Sequence, residues 1–463
     1  MQLPENLLKS LEGIQGFNRQ TFEKIHSSGE QVTSIRINPG KFKDPLTHHL
    51  PFPAPQRVPW SSYGFYLNER PSFTFDPIFH AGCYYVQEAS SMFLEQALQQ
   101  TVDLSQPLKV LDLCGAPGGK STHIQSLISK ASLLVANEVI KNRVSVLVQN
   151  ITKWGCENVI VTHNDPKHFT TLEGYFDVII VDAPCSGSGL FRKDAEAIEE
   201  WSLNNVALCS QRQQRILSDA LPSLKKDGIL IYSTCSYSKE EDEEIGNWLV
   251  EDFKMKSERL KIDQAWGIVE TKSPKTGVAG YRFFPNKLRG EGFFLACFRK
   301  TNEAGVMKRK NKRAEQISKQ ELIIIDKWIS KKGYSFFYNH HTIYALLENL
   351  FDYYSFLQQH LNVYHAGVAA GQMMRDKFIP GHGLALSKML SSTIPIIELT
   401  FEDAIKFLQK SELQLTPDKQ GWQVVSYKHY TLGWVNALSN RMNNYYPKEL
   451  RILKRRNDSS SGK

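Results

Sequence analysis

Phe176–Leu190 reads FDVIIVDAPCSGSGL, and its first half predicts a strand buried on both faces, because Phe176 to Asp182 is short, apolar and β-branched. The run stops at Ala183-Pro184-Cys185-Ser186-Gly187-Ser188-Gly189, small residues that belong to a loop. An open α/β sheet binds its ligands just beyond the carboxyl ends of its strands, so Asp182, Pro184 and Cys185 are expected together at the mouth of a cleft. Gly228–Ser236, GILIYSTCS, repeats the pattern and ends in Cys235. Two thiols at two strand tips, with an aspartate beside one, form the constellation to explain.

Working outward, residues 105–300 alternate strand and helix, the pattern of a doubly wound α/β (Rossmann-like) sheet. Strands are expected at Leu108–Leu113, Ser132–Asn137, Asn158–Thr162, Asp177–Asp182 and Gly228–Thr234, then an antiparallel pair at Tyr281–Phe284 and Gly292–Phe298. Lys141–Trp154 places Val144, Leu147, Val148, Ile151 and Trp154 on one helical face, and Gly155 stops it. Ser238-Lys239-Glu240-Glu241 reads as a capping box opening another helix.

Residues 1–104 form a first α+β unit. Thr33–Asn38 alternates as a half-buried strand, with Arg36 and Asn38 opposite Ile35 and Ile37, and the proline-rich Pro51–Pro59 is a loop. Gln87, Glu88, Ser90 and Ser91 cluster where a helix starts at Ala89; local capping and substrate contact both explain the serines. Past the sheet domain, Met307–Arg313 is a basic run, either a solvated linker or an RNA-facing strap. The expected remainder is a linker and small mixed domain over 301–390, a compact β-rich unit over 391–456 and a disordered tail over 457–463.

The 463 residues exceed a single domain, and 41% hydrophobic with 22% charged residues is the balance of a globular chain with a sizeable core. The net charge of +8 tilts toward nucleic acid. No apolar run reaches the ~18 residues of a membrane span, and MQLPENLLKS lacks the pattern of a signal peptide, so no membrane partner is expected. Seven scattered cysteines without a CxxC pair argue against a disulfide framework and a metal site, and place the chain in a reducing cytoplasm.

Leu111–Lys120 is a strand, a glycine-rich turn and a helix start, with Cys114-Gly115-Ala116-Pro117-Gly118-Gly119-Lys120 forming the turn. It has neither the GxGxxG of a dinucleotide fold nor the GxxxxGK[ST] of a P-loop. Glu138 ends the second strand, where an acid accepts from ribose hydroxyls, and Asp165 follows the third, within reach of an adenine amino group. With Asp182 ending the fourth, the acids suit a sulfonium cation better than a triphosphate, and S-adenosylmethionine fits best. On the chemical side, a thiolate adding to carbon 6 of cytosine turns carbon 5 into a nucleophile toward a methyl sulfonium. An acid at ring nitrogen 3 stabilises the charge that develops, and a second thiol can serve in adduct breakdown. Cys83, Cys156, Cys209 and Cys297 are read as small buried hydrophobes, and Cys114 as a wall of the turn.

DLCGAPGGKS, VDAPCSGSGLFRKD and YSTCS together resemble the Sun-type family of RNA cytosine-5 methyltransferases. The resemblance implies Cys235 as nucleophile, Cys185 assisting product release, Asp182 at the junction of donor and base, and donor binding by Cys114–Lys120, Glu138, Asp165 and Arg143. Gly115 stands where many members have alanine. YYVQEASSM and LFRKDAEAIEEW are similar to the bacterial RsmF-type ribosomal RNA methyltransferases, which implies a C-terminal PUA-like RNA-binding module. GWQVVSYKHYTLGW and NNYYPKELR are similar to that module, with Lys448 and Arg451 available for phosphates and Tyr445 and Tyr446 for stacking or core packing. The expected partner is RNA, first of all small-subunit ribosomal RNA and the small ribosomal subunit, with no DNA. A transfer RNA substrate and a non-catalytic ribosome-assembly factor are the alternatives.

Overall fold

The computed structural model describes residues 2–42, 52, 55–303, 305, 313–330, 332–413 and 419–454. Most of the basic run (307–312), three residues of the proline-rich stretch (51, 53 and 54) and the tail from 455 lie outside the described residues.

At the centre is a ten-stranded sheet. In chain order its strands are β1 (Lys109–Asp112), β2 (Leu133–Asn137), β3 (Val159–Thr162), β4 (Phe176–Asp182), β5 (Leu224–Thr234), β6 (Lys256–Glu258), β7 (Val269–Lys272), β8 (Ala279–Phe283), β9 (Phe293–Arg299) and β10 (Val363–Ala366). Their spatial order is β7-β8-β9-β5-β4-β1-β2-β3-β10, with β6 pairing the far end of β9. The core from β5 to β3 is parallel, and the strands added at both edges are antiparallel. The apolar runs are continuous because alternate side chains feed two different cores. Val178 and Ile180 of β4 face the helices α1 (Gly119–Leu127) and α2 (Lys141–Trp154), packing with Ile124, Leu147 and Ile151. Ile179 and Val181 face α3 (Leu203–Ala220) and α4 (Glu243–Phe253), packing with Leu217, Ile245 and Leu249. Gly155 caps α2 at φ 80°, a left-handed turn that suits glycine.

Three small four-stranded sheets flank this one. The N-terminal sheet orders Gln56–Arg57, Gly64–Leu67, Thr33–Ile37 and Tyr84–Val86. The segment after β9 builds a second from Tyr334–Asn339, Thr342–Leu347, Val368–Met374 and Lys377–Pro380, and lends β10 to the central one. The last comprises Ile396–Glu398, Gly421–Tyr427, Tyr430–Ala437 and Met442–Asn444. Its Phe407, Val425, Val435 and Tyr446 share one core with Ile35, Ile37, Phe65 and Tyr84 of the N-terminal unit.

Four local expectations change, the first being that Gln56–Arg57, inside the proline-rich stretch, is a short strand and not loop. Thr33–Ile37 is buried throughout, because the face carrying Arg36 meets the central-sheet domain instead of water. The Arg36 guanidinium donates to Gln87 Oε1 at 2.8 Å, Thr122 Oγ1 at 2.6 Å and the Gly119 carbonyl at 3.2 Å, and lies over the Trp154 ring. The segment after Ala89 is a short 3₁₀ turn, Ser90–Phe93, before the α-helix Leu94–Thr101. Ser238 caps nothing with its side chain; α4 starts later, at Glu243, and Glu241 points elsewhere.

Candidate active site

β4 and β5 are parallel neighbours with Asp182 opposite Ser233, so their two loops leave the sheet side by side. The Cys185 and Cys235 Sγ atoms stand 3.1 Å apart. Asp182 Oδ1 accepts from Ser233 Oγ at 2.9 Å, and Oδ2 pairs with Lys120 Nζ at 2.7 Å. Two backbone bonds sew the loops together, Ala183 N to Ser233 O and Gly189 N to Cys235 O, both 2.8 Å. The hydrogen bond to Cys235 and burial push the Cys185 thiol well above its ordinary range.

A cavity of about 380 Å³ opens in front of this group, lined by Cys114–Pro117, Gly119, Lys120, Asp182, Cys235, and Gln87, Glu88 and Ser91 from the N-terminal unit. Ser91 Oγ donates to the Glu88 carbonyl and its amide to Glu88 Oε2, so the serine is locally capped and also lines the cavity. Ser90 does not line it; its Oγ donates to the carbonyl of Glu291, which does.

Glu138, Arg143, Asp165 and Cys185 do not line that cavity. Glu138 is buried at the end of β2, accepts the Ile140 amide and stands 3.5 Å from Arg143. Arg143 reaches back to the turn, its Nη2 donating to the Ala116 carbonyl at 2.8 Å. Asp165 follows β3, half-buried, with Arg215 3.4 Å away. Beneath the turn, burial pushes the Asp112 carboxyl up to about 7, with Asp182 and Glu138 adding to it against a hydrogen bond from Ser121; its Oδ1 has no partner among the described residues. Acids therefore outnumber bases around the turn, and a cationic donor is the ligand that such a site fits.

A group of side chains that sequence reasoning did not single out surrounds the thiols. Glu241 Oε1 accepts the Ser186 amide at 2.8 Å and Gln213 Nε2 at 3.2 Å. Its Oε2 accepts Ser186 Oγ at 2.5 Å and Ser236 Oγ at 2.6 Å. Among the described residues there is no group of acids, histidines and cysteines that could hold a metal ion. A larger cleft of about 920 Å³, lined by Lys41, Trp154, Lys388 and Lys428, opens where α1 and α2 end, and none of the candidate site residues lines it. In the last unit Tyr446 is buried in the core, whereas Tyr445, against Trp422, and Lys448 and Arg451 face solvent.

A doubly wound sheet with a glycine-rich turn after its first strand, acids at its strand tips and a two-cysteine mouth defines an S-adenosylmethionine-dependent methyltransferase. Residues 99–299 match the family described as 16S rRNA methyltransferase RsmB/F, residues 3–89 the N-terminal domain of 16S rRNA methyltransferase RsmF, and residues 395–452 the methyltransferase RsmF PUA domain. The chain belongs to the RsmB/F family of 16S rRNA methyltransferases. It is 30% identical over 413 residues, 85% of each chain, to the ribosomal RNA small subunit methyltransferase F of Psychromonas ingrahamii. The protein of that name from Shewanella piezotolerans is 28% identical over 442 residues, 92% of each. A methyltransferase homologue from Pyrococcus horikoshii superimposes with a TM-score of 0.50 at 28% identity, covering 64% of this chain and all of that one. Among the described residues, no helix is long and apolar enough to cross a membrane.

Proposed function

We propose that this chain methylates carbon 5 of a cytosine in 16S rRNA, presented in the small ribosomal subunit in the cytoplasm, through a covalent adduct on Cys235. The observation that carries the reading is the pair of thiols 3.1 Å apart on adjoining strand tips beside the Asp182–Lys120 pair. Residues Cys114–Lys120, Glu138, Arg143 and Asp165 would hold the donor, the last three from beside the cavity and not from its wall, and the donor would supply an electrophilic methyl group on a cationic sulfur. The Cys235 thiolate adds to carbon 6 of the base, and a proton shared between the Asp182–Lys120 pair and ring nitrogen 3 offsets the charge this creates. Carbon 5 takes the methyl group. Once Cys235 is a thioether, Cys185 has lost the thiolate that held its proton. It releases that proton to solvent, takes the one on carbon 5, and the carbon 6–sulfur bond breaks to return the Cys235 thiolate.

Lys448 and Arg451 of the PUA-like unit are proposed phosphate contacts, and the chain is proposed to divide at about 104, 300 and 390. The test is a covalent trap. Cys185→Ala should accumulate an RNA adduct that survives denaturation, whereas Cys235→Ala should form none and lose methylation. Adduct on Cys235→Ala but not on Cys185→Ala would reverse the roles.

A further inference from the structure

Cys235 and Cys185 are held in different ways. Cys235 directly follows β5, whose last residues pair with Asp182 of β4 on one side and Phe294 of β9 on the other. Cys185 lies in a loop that has already left the sheet, between Ala183 and the left-handed Gly187 at φ 74°. Its neighbour Ser186 gives both its amide and its hydroxyl to Glu241. Gln213 links the same carboxylate to the Pro184 carbonyl, donating to the two at 3.2 and 3.0 Å. On its other side the carboxylate accepts from Ser236, next to Cys235. Glu241 is itself fixed, since its carbonyl accepts from Tyr232 Oη at 2.6 Å. One buried carboxylate thus ties the loop of Cys185 to that of Cys235.

We propose that Glu241 is a positioning residue for adduct release: it keeps Cys185 where it can take the carbon 5 proton, while attack by Cys235 does not depend on it. The inference rests on the cysteine roles proposed above. Each oxygen of Glu241 accepts two donors. Alanine removes all four acceptor contacts. Glutamine can keep its carbonyl toward the Ser186 amide and Gln213 and turn its amide toward the serine hydroxyls, which can rotate to accept. A positioning role therefore allows rescue by glutamine, and an acid–base role does not.

The experiment compares wild type, Glu241→Ala, Glu241→Gln and Cys185→Ala on 16S rRNA with S-adenosylmethionine, reading turnover, single-turnover attack and denaturant-stable adduct. Glu241→Ala should build up adduct, with release about 10²-fold slower, as a displacement on the order of 1 Å can produce. Attack should stay close to that of wild type, and Glu241→Gln should recover most of the release. A fold defect lowers attack and cannot raise adduct. If Glu241→Ala fails to fold, Ser186→Ala, which removes one tie to the loop, carries the same readouts. Parallel loss of adduct and turnover, wild-type release in the alanine variant, or no recovery with glutamine overturns the proposal while Cys185→Ala still traps RNA. If Cys185→Ala traps nothing, the cysteine roles fall and this inference with them.

Discussion

Gly189 shows how little room the site leaves. A Cβ there would fall 2.5 Å from the Gly292 carbonyl oxygen and 2.7 Å from that of Cys235, both backbone atoms that cannot swing away. Gly189→Ala should therefore displace the Cys185 loop and destabilise the protein by about 1–3 kcal/mol, the usual cost of overpacking. Its methylation should fall more than its stability does; a urea midpoint measured beside the turnover number checks both. Sequence reading at this scale singles out residues announced by their neighbours, such as Cys185 in APCSGSG, which the fold sets beside Cys235. It misread Glu241, because a capping box is a local spacing pattern and Ser186 lies 55 positions away in the chain.

The strand Thr33–Ile37 makes the corresponding point for elements. Alternation correctly separates its two faces, but a polar face reads as a wet one, and here it rests on the ends of α1 and α2. Replacing Arg36 by methionine would strip the buried Gln87 Oε1 of its donor, while the Gly119 and Thr122 carbonyls keep the hydroxyls of Thr122 and Ser126. At about 1–3 kcal/mol for an unpaired buried group, the loss is readable in a thermal melt. Because Gly119 opens the donor-side helix, Arg36→Met should also weaken donor binding in a calorimetric titration. The central strands were legible for a simpler reason: burial on both faces leaves an unbroken apolar run. β10 was not, since its partner β3 lies about two hundred residues earlier and no local pattern announces such a pairing.

For the whole molecule, buried histidines set the response to acid. Burial pushes His26, His123 and His365 down to about 4, and each is nearly inaccessible, in three different parts of the fold. Below pH 6.5 the unfolded chain binds a proton at each that the native state refuses, so stability is full above 6.5 and is lost as pH falls toward 4. At pH 5.5 each histidine costs about 1.4 kcal/mol, on the order of 4 kcal/mol for the three, a large share of a typical 5–15 kcal/mol. Denaturant unfolding at pH 7.5 and 5.5 measures it, and His123→Gln and His365→Gln should each flatten the difference. A midpoint independent of pH over that range overturns the assignment.

The core shared by the first and last units bears on how the chain comes into being. Ile35, Phe65 and Tyr84 emerge early from the ribosome, but the residues that cover them, Phe407, Val425 and Tyr446, emerge more than three hundred positions later. Domains that fold during synthesis usually finish in order from the N-terminus. Here the unit translated first is completed last, and until then it presents an open apolar face for chaperones to guard.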